Sequence, residues 1–160
     1  MSWRDLISSV YESRGVDIKP RFYPSASAEE IADAEDCLNA RLPTSIRSLL
    51  SETNGVMEMM AIDGGEWIES MWLLWSVAEI VKWNTFFRTS RDSTSGRDFK
   101  QITFFANAGV DGIQFGFPVM DGHVCAPRVV VWYPIGGEVE EVATSLEDFL
   151  NRWLTGAISV

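Results

Sequence analysis

A chain of 160 residues with a net charge of −10 and 46% hydrophobic residues excludes two classes of ligand at once. Clustered Lys and Arg are too few to follow a phosphate backbone, so no nucleic-acid partner is expected. No run reaches the roughly 18 apolar residues of a membrane span, and MSWRDLISSVYES lacks the basic-then-apolar order of a secretory leader, so no membrane partner is expected either. The length predicts one domain. Area scaling predicts that about 70% of the unfolded surface is buried, enough for a core without disulfides or metals. Cys37 and Cys125 are far apart and match no ligand spacing, which predicts a reduced, cytoplasmic protein. The charge is uneven. Residues 56–87 carry one basic and five acidic side chains, residues 101–160 carry two and seven, and residues 88–100 carry four and two.

Ser2 predicts a helix cap, followed by Trp3, Leu6, Ile7, Val10 and Tyr11 at helical spacing and a stop at Gly15. Pro20 and Pro24 keep the next segment extended. Ser27 and Glu30 form a capping-box pattern for a second helix with Ile31, Ala34 and Leu38 on its buried stripe. A third helix over 42–53 starts at Leu42-Pro43, where proline suits the first turn. It is expected to close on Asn54-Gly55, which tolerate the left-handed conformation. Strands are predicted over 56–62 and 67–75, joined by Asp63-Gly64-Gly65-Glu66. Ser76 with Glu79 repeats the capping-box pattern for a short helix ending near Asn84. Residues 88–100 read as a long polar loop. Strands follow over 101–106, 113–117, 128–133 and 138–142, with an Asp111-Gly112 turn between the first two. Thr144 or Ser145 caps a last helix whose core face is Leu146, Phe149, Leu150, Trp153 and Leu154. Helices, then strands joined by turns, then a closing helix predict an α+β fold: a mainly antiparallel, twisted sheet with N-terminal helices and a C-terminal helix packed around it.

The order of these marks resembles a known family. A capped helix carries Ile31 and Glu35. Leu42-Pro43 leads into Asn54-Gly55, and Trp75-Ser76 opens the next helix. The strand over 102–106 leads into Gly109-Val110-Asp111-Gly112, and the close is VATSLEDFL. Over residues 24–156 this resembles the SUKH superfamily, the SMI/KNR-type domain shared by a fungal cell-wall-synthesis regulator and many bacterial proteins. The resemblance implies protein binding rather than catalysis. Bacterial members are similar to immunity proteins that neutralise a cognate toxin domain, often a nuclease or a nucleic-acid deaminase. The alternative it implies is a regulatory or scaffolding interaction domain like the fungal relatives. An acidic inhibitor suits a basic toxin cleft, so the expected partner is a basic protein toxin, with no cofactor. Monomer and homodimer both stay open.

Chemistry-bearing residues are sparse. His123 is the single histidine, so a multi-histidine metal site is excluded. Cys125 two residues on would share its face in an extended segment, giving a nucleophile–base pair. The opposing reading packs Cys125 in the core and leaves His123 in a loop. Adjacent carboxylates at Glu29/Glu30 and Glu147/Asp148 are explained by helix starts. Glu35 borders the apolar stripe of its helix and is expected to hold backbone near Leu42-Pro43 or Asn54. Charge and turn placement pick Glu58, Asp63, Glu66, Trp67 and Glu69 as partner contacts, then Asp111 and Asp121 at strand-end turns. Glu35, Leu42, Pro43, Asn54, Gly55, Trp75, Asp111 and Gly112 are expected to be structural.

Overall fold

The computed structural model describes residues 1–90 and 98–160. Five helices, α1 (Trp3–Glu12), α2 (Ala28–Leu38), α3 (Thr44–Glu52), α4 (Val77–Thr89) and α5 (Leu146–Leu154), surround two antiparallel sheets. The first sheet has the order β1 (Ile18–Phe22), β2 (Val56–Ala61), β3 (Trp67–Leu74). The second is a meander of β4 (Ile102–Asn107), β5 (Gln114–Pro118), β6 (Val129–Trp132) and β7 (Val139–Ala143). The fold is α+β, with the predicted sheet divided in two. A backbone hydrogen bond joins the halves, from Trp75 N–H to the Phe105 carbonyl (2.9 Å).

The second sheet is covered on both faces, which explains why its strands lack polar alternation. Phe104 packs at 5.3 Å from Phe87 of α4, and its neighbour Phe105 packs at 5.4 Å from Phe149 of α5. Ile7 of α1, and Ile46, Leu49 and Leu50 of α3, belong to the same buried cluster. Only the first sheet keeps a long exposed stretch, at the β2–β3 turn.

The Leu42-Pro43 to Asn54-Gly55 segment differs from expectation at both ends. Pro43 is the N-cap of α3 rather than a residue of its first turn. The helix closes at Thr53 in an extended conformation, and left-handed closure occurs instead at Asn39, the C-cap of α2. Asn54 serves the next helix: its Oδ1 accepts from Val77 N–H (2.8 Å), at the start of α4. Gly55 has φ +91°, and a Cβ there would lie 2.7 Å from the Ser76 backbone nitrogen. The tight passage between α3 and α4 therefore requires glycine.

Helix α4 is also longer than predicted. Ser76 caps it by accepting from Glu79 N–H, but the Glu79 carboxylate accepts from Trp83 Nε1 (2.8 Å) instead of completing the box. Asn84, read as a terminus, lies inside the helix and is 1% exposed. Its Nδ2 donates to the Phe104 carbonyl and its Oδ1 accepts from Phe104 N–H, both at 2.8 Å. The amide thus satisfies both backbone groups of one β4 residue, as a neighbouring strand would. Arg88, assigned to the polar loop, belongs to α4. It donates to the Leu38 carbonyl at the end of α2 (2.6 Å) and to Thr103 Oγ1 (3.3 Å). Thr89 also belongs to α4. At the far end of the predicted loop Asp98 caps a 3-10 turn over Phe99–Gln101, in which Phe99 is buried because its ring packs on Phe87, Phe104 and Trp132. Residues 91–97 lie outside the described residues.

Asn84→Ala leaves a buried N–H and C=O without partners, so it should cost about 3 kcal/mol in denaturant unfolding. A loss below about 1 kcal/mol would mean that β4 does not depend on this amide. Gly55→Val should cost about 2 kcal/mol or more, because a branched side chain must adopt a left-handed backbone against Ser76.

Candidate protein-binding surface

The first sheet positions the predicted acidic segment. Register pairs Met60 with Ile68 and Ala61 with Trp67, so the two strands meet at a turn over residues 62–66. Ile62, Asp63, Glu66, Trp67, Ile68 and Glu69 are all exposed. Their side chains are not equivalent. Among the described residues, Asp63 and Glu66 make no ion pair. Glu58 is half-buried and accepts from the Tyr11 hydroxyl (2.7 Å) and from Arg14 (3.0 Å). That arrangement, with burial as the larger cause, raises the Tyr11 phenol well above its ordinary range. Glu69 pairs with Arg21, which also donates to Tyr23 Oη (2.7 Å). Trp67, 37% exposed, carries the Lys19 ammonium 3.9 Å from its ring centre.

Two basic residues of β1 therefore lie across the outer face of the hairpin. Beneath them Met57 and Met59 are 6% and 7% exposed, yet stand outside the main hydrophobic cluster. Antiparallel register with β1 brings Lys19 opposite Met59 and Arg21 opposite Met57. The sequence carries no local sign of this, because β1 lies more than thirty residues upstream. The net acidity of the hairpin falls on its tip.

Asp111 and Asp121 occupy different places. Asp111, at φ +53°, lies in the β4–β5 turn, which abuts β3: the Met71 Sδ is 3.2 Å from where a Cβ on Gly109 would be. Asp121 lies in a 3-10 turn beside the α2–α3 connection, where Arg41 N–H donates to the His123 carbonyl (2.8 Å). The structure brings Asp111 towards the hairpin and leaves Asp121 with other elements. In the α2–α3 connection, Glu35 Oε2 accepts from Leu42 N–H (2.8 Å) and Oε1 lies 3.9 Å from Arg47 Nε. Leu42, Pro43, Gly55 and Trp75 are buried, and Asn54 is half-buried at its cap.

His123 and Cys125 do not form a nucleophile–base pair. His123 is exposed with φ +60°, while Cys125 is 4% exposed and its Sγ donates to Thr103 Oγ1 (3.5 Å). Burial raises the Cys125 thiol above its ordinary pKa, which disfavours the thiolate that attack requires. Among the described residues no group of three or more His, Cys, Asp or Glu is placed to hold a metal ion. Among them, too, no helix is long and apolar enough to cross a membrane.

The geometry defines an α+β fold of helices around two antiparallel sheets. The model of the SMI1 / KNR4 family (SUKH-1) matches residues 25–152, and the chain belongs to that family. At the family level this is a domain of immunity-protein type. A comparison with curated proteins gave no match.

The two thiols should behave differently in a thiol-disulfide reagent such as Ellman's. Cys37, exposed on α2, should react in the native protein, and Cys125 only after unfolding. Rapid native modification of both would contradict the burial described.

Proposed function

We propose that this chain is an immunity protein that binds a cognate toxin domain, a nuclease or a nucleic-acid deaminase, and neutralises it by covering its basic substrate cleft. The carrying observation is the hairpin tip. Asp63 and Glu66 stand exposed and unpaired among the described residues, beside Trp67, on a chain of net charge −10. An enzyme that handles nucleic acid needs a basic cleft, and carboxylates presented by a rigid sheet offer it a competing anionic surface. Trp67 beside them, with Lys19 over its ring on the hairpin's other face, adds aromatic area at the edge of the tip. Asp111 extends the acidic surface from the β4–β5 turn. Glu58 and Glu69 act one step removed, by holding Arg14 and Arg21 against the sheet. Asp121, beside the α2–α3 connection, takes no part. The inhibitor works by contact alone, in the cytoplasm, without catalysis or cofactor.

Co-expression with a toxin encoded beside this gene should restore growth of the host. The double variant Asp63→Lys, Glu66→Lys should keep its melting temperature and weaken the complex by about tenfold or more, mostly through slower association at low salt. Unchanged affinity in that variant would contradict the hairpin assignment. Failure of the wild-type chain to bind or protect would contradict the immunity reading itself.

A further inference from the structure

Strand β3 and two turns meet along one edge of the molecule, and each presents an apolar residue to solvent. Ile68 of β3 is 40% exposed, directly opposite Met60 at 43%. Val110 of the β4–β5 turn is 53% exposed, and Ile135 of the β6–β7 turn is 81% exposed. The turns adjoin. Met71 of β3 lies against Gly109, and the Pro134 ring lies 3.3 Å from where a Cβ on Gly112 would be. The order across this rim is therefore Ile68, Met71, Val110, Pro134, Ile135.

The exposed charges of its turns are acidic, and on the same face Glu58, opposite Met71, is neutralised by Arg14. Residues 62–68, 109–112 and 134–138 contain Asp63, Glu66, Asp111 and Glu138 and no Lys or Arg. Lys19 reaches the hairpin on the other face, since its ring partner Trp67 alternates with Ile68 along β3. The Tyr133 phenol is held above its ordinary pKa by partial burial and then by the Glu140 and Glu138 carboxylates, so the negative field continues along the β6–β7 turn.

The β4–β5 turn itself holds a recess of about 250 Å³ lined by Asn107, Val110, Asp111, Gly112, Ile113 and Gln114. Gln114 is 8% exposed; its Nε2 donates to the Gly112 carbonyl (2.9 Å), and its Oε1 has no donor among the described residues. Gln114 is thus spent inside the turn, and Asp111, exposed beside it, is the turn's outward carboxylate. Isolated exposed apolar residues are ordinary, but apolar residues from one strand and two turns, adjoining and flanked by carboxylates, have the anatomy of an interface: an apolar centre with a polar rim.

We propose that this rim is the docking surface for the protein partner, and that the partner's matching surface carries an apolar tip flanked by lysine or arginine side chains. The inference rests on the protein-binding reading above and adds to it the surface and the chemistry of its occupant. Charge complementarity selects a basic partner; a second copy of the chain would set carboxylates against carboxylates. The apolar row supplies burial, and the exposed Asp111 carboxylate pairs with a cationic head whose stem lies along Val110.

The test uses a displayed library of random twelve-residue peptides, selected on the folded chain at low salt. Enriched peptides should combine Lys or Arg with Leu, Ile, Phe or Trp, and their amide shift changes should map to residues 60–71, 109–114 and 134–138. The triple variant Ile68→Ser, Val110→Ser, Ile135→Ser should weaken the selected peptides at least tenfold. Phe86→Ser, which removes an exposed ring on α4, should leave them unchanged, and thermal melting should show both variants folded. No enrichment, peptides without basic residues, shifts centred on other elements, or full-strength binding by the triple variant would overturn the proposal. These outcomes are separate from toxin protection. Protection that survives the triple variant refutes the rim and leaves immunity standing, whereas peptide binding without protection refutes immunity and leaves the rim standing.

Discussion

The structure depends on how one edge strand is satisfied where two sheets part. β3 ends at Leu74 and the chain turns into α4, so β4 loses a strand neighbour partway along its length. A buried N–H and C=O left there would cost several kcal/mol. Asn84 takes the place of the missing strand by bonding both groups of Phe104. The same helix is fixed at its start by Asn54 and Ser76, and near its end by Arg88, which reaches the last turn of α2. One helix thereby ties α2, α3, β3 and β4 together. Glycine at position 55 follows from this, because the passage from α3 to the first sheet runs against the start of α4.

The consequence for function is a division of labour between the sheets. The second is sandwiched between α4 and α5 and packs almost entirely apolar side chains, which makes it a rigid support. Its connecting turns and the β2–β3 hairpin are then free to carry binding chemistry on a fixed frame. Charge is sorted in the same way. In the first sheet the strand carboxylates Glu58 and Glu69 are neutralised by Arg14 and Arg21, while Asp63 and Glu66 at the tip make no ion pair among the described residues. A field concentrated at turns can orient a basic partner during encounter without imposing carboxylate repulsion on the sheet.

Much of this was legible in the sequence. The capping residues Ser2, Ser27, Ser76 and Ser145 mark helix starts by a local chemistry that spacing reveals, and each accepts the hydrogen bond expected of it. The family could be read from the order of Leu42-Pro43, Asn54-Gly55, Trp75-Ser76 and the Asp111-Gly112 turn, and the matched residues 25–152 agree with it. What escaped was long-range. Asn84 has the residue type of a terminator, and nothing within a helical window shows that its amide faces a strand twenty residues later. Likewise Lys19 and Arg21 read as charges on an extended segment until register places them over Trp67 and Glu69. Asn54 and Gly55 mark a boundary in the sequence but not which side uses it: Asn54 caps the start of α4 rather than closing α3. The exposed apolar tips were readable in part. Val110 and Ile135 each follow Gly or Pro and precede Asp or Gly, so neither could be buried by its own turn.

The most direct measurement is amide hydrogen exchange on this chain, alone and bound to its cognate toxin. The account predicts new protection over residues 62–71, 109–114 and 134–138, with the α2–α3 connection and the Asp121–His123 turn unchanged. Protection confined to residues 35–44 and 121–125, with the hairpin tip exchanging as in the free protein, would contradict it.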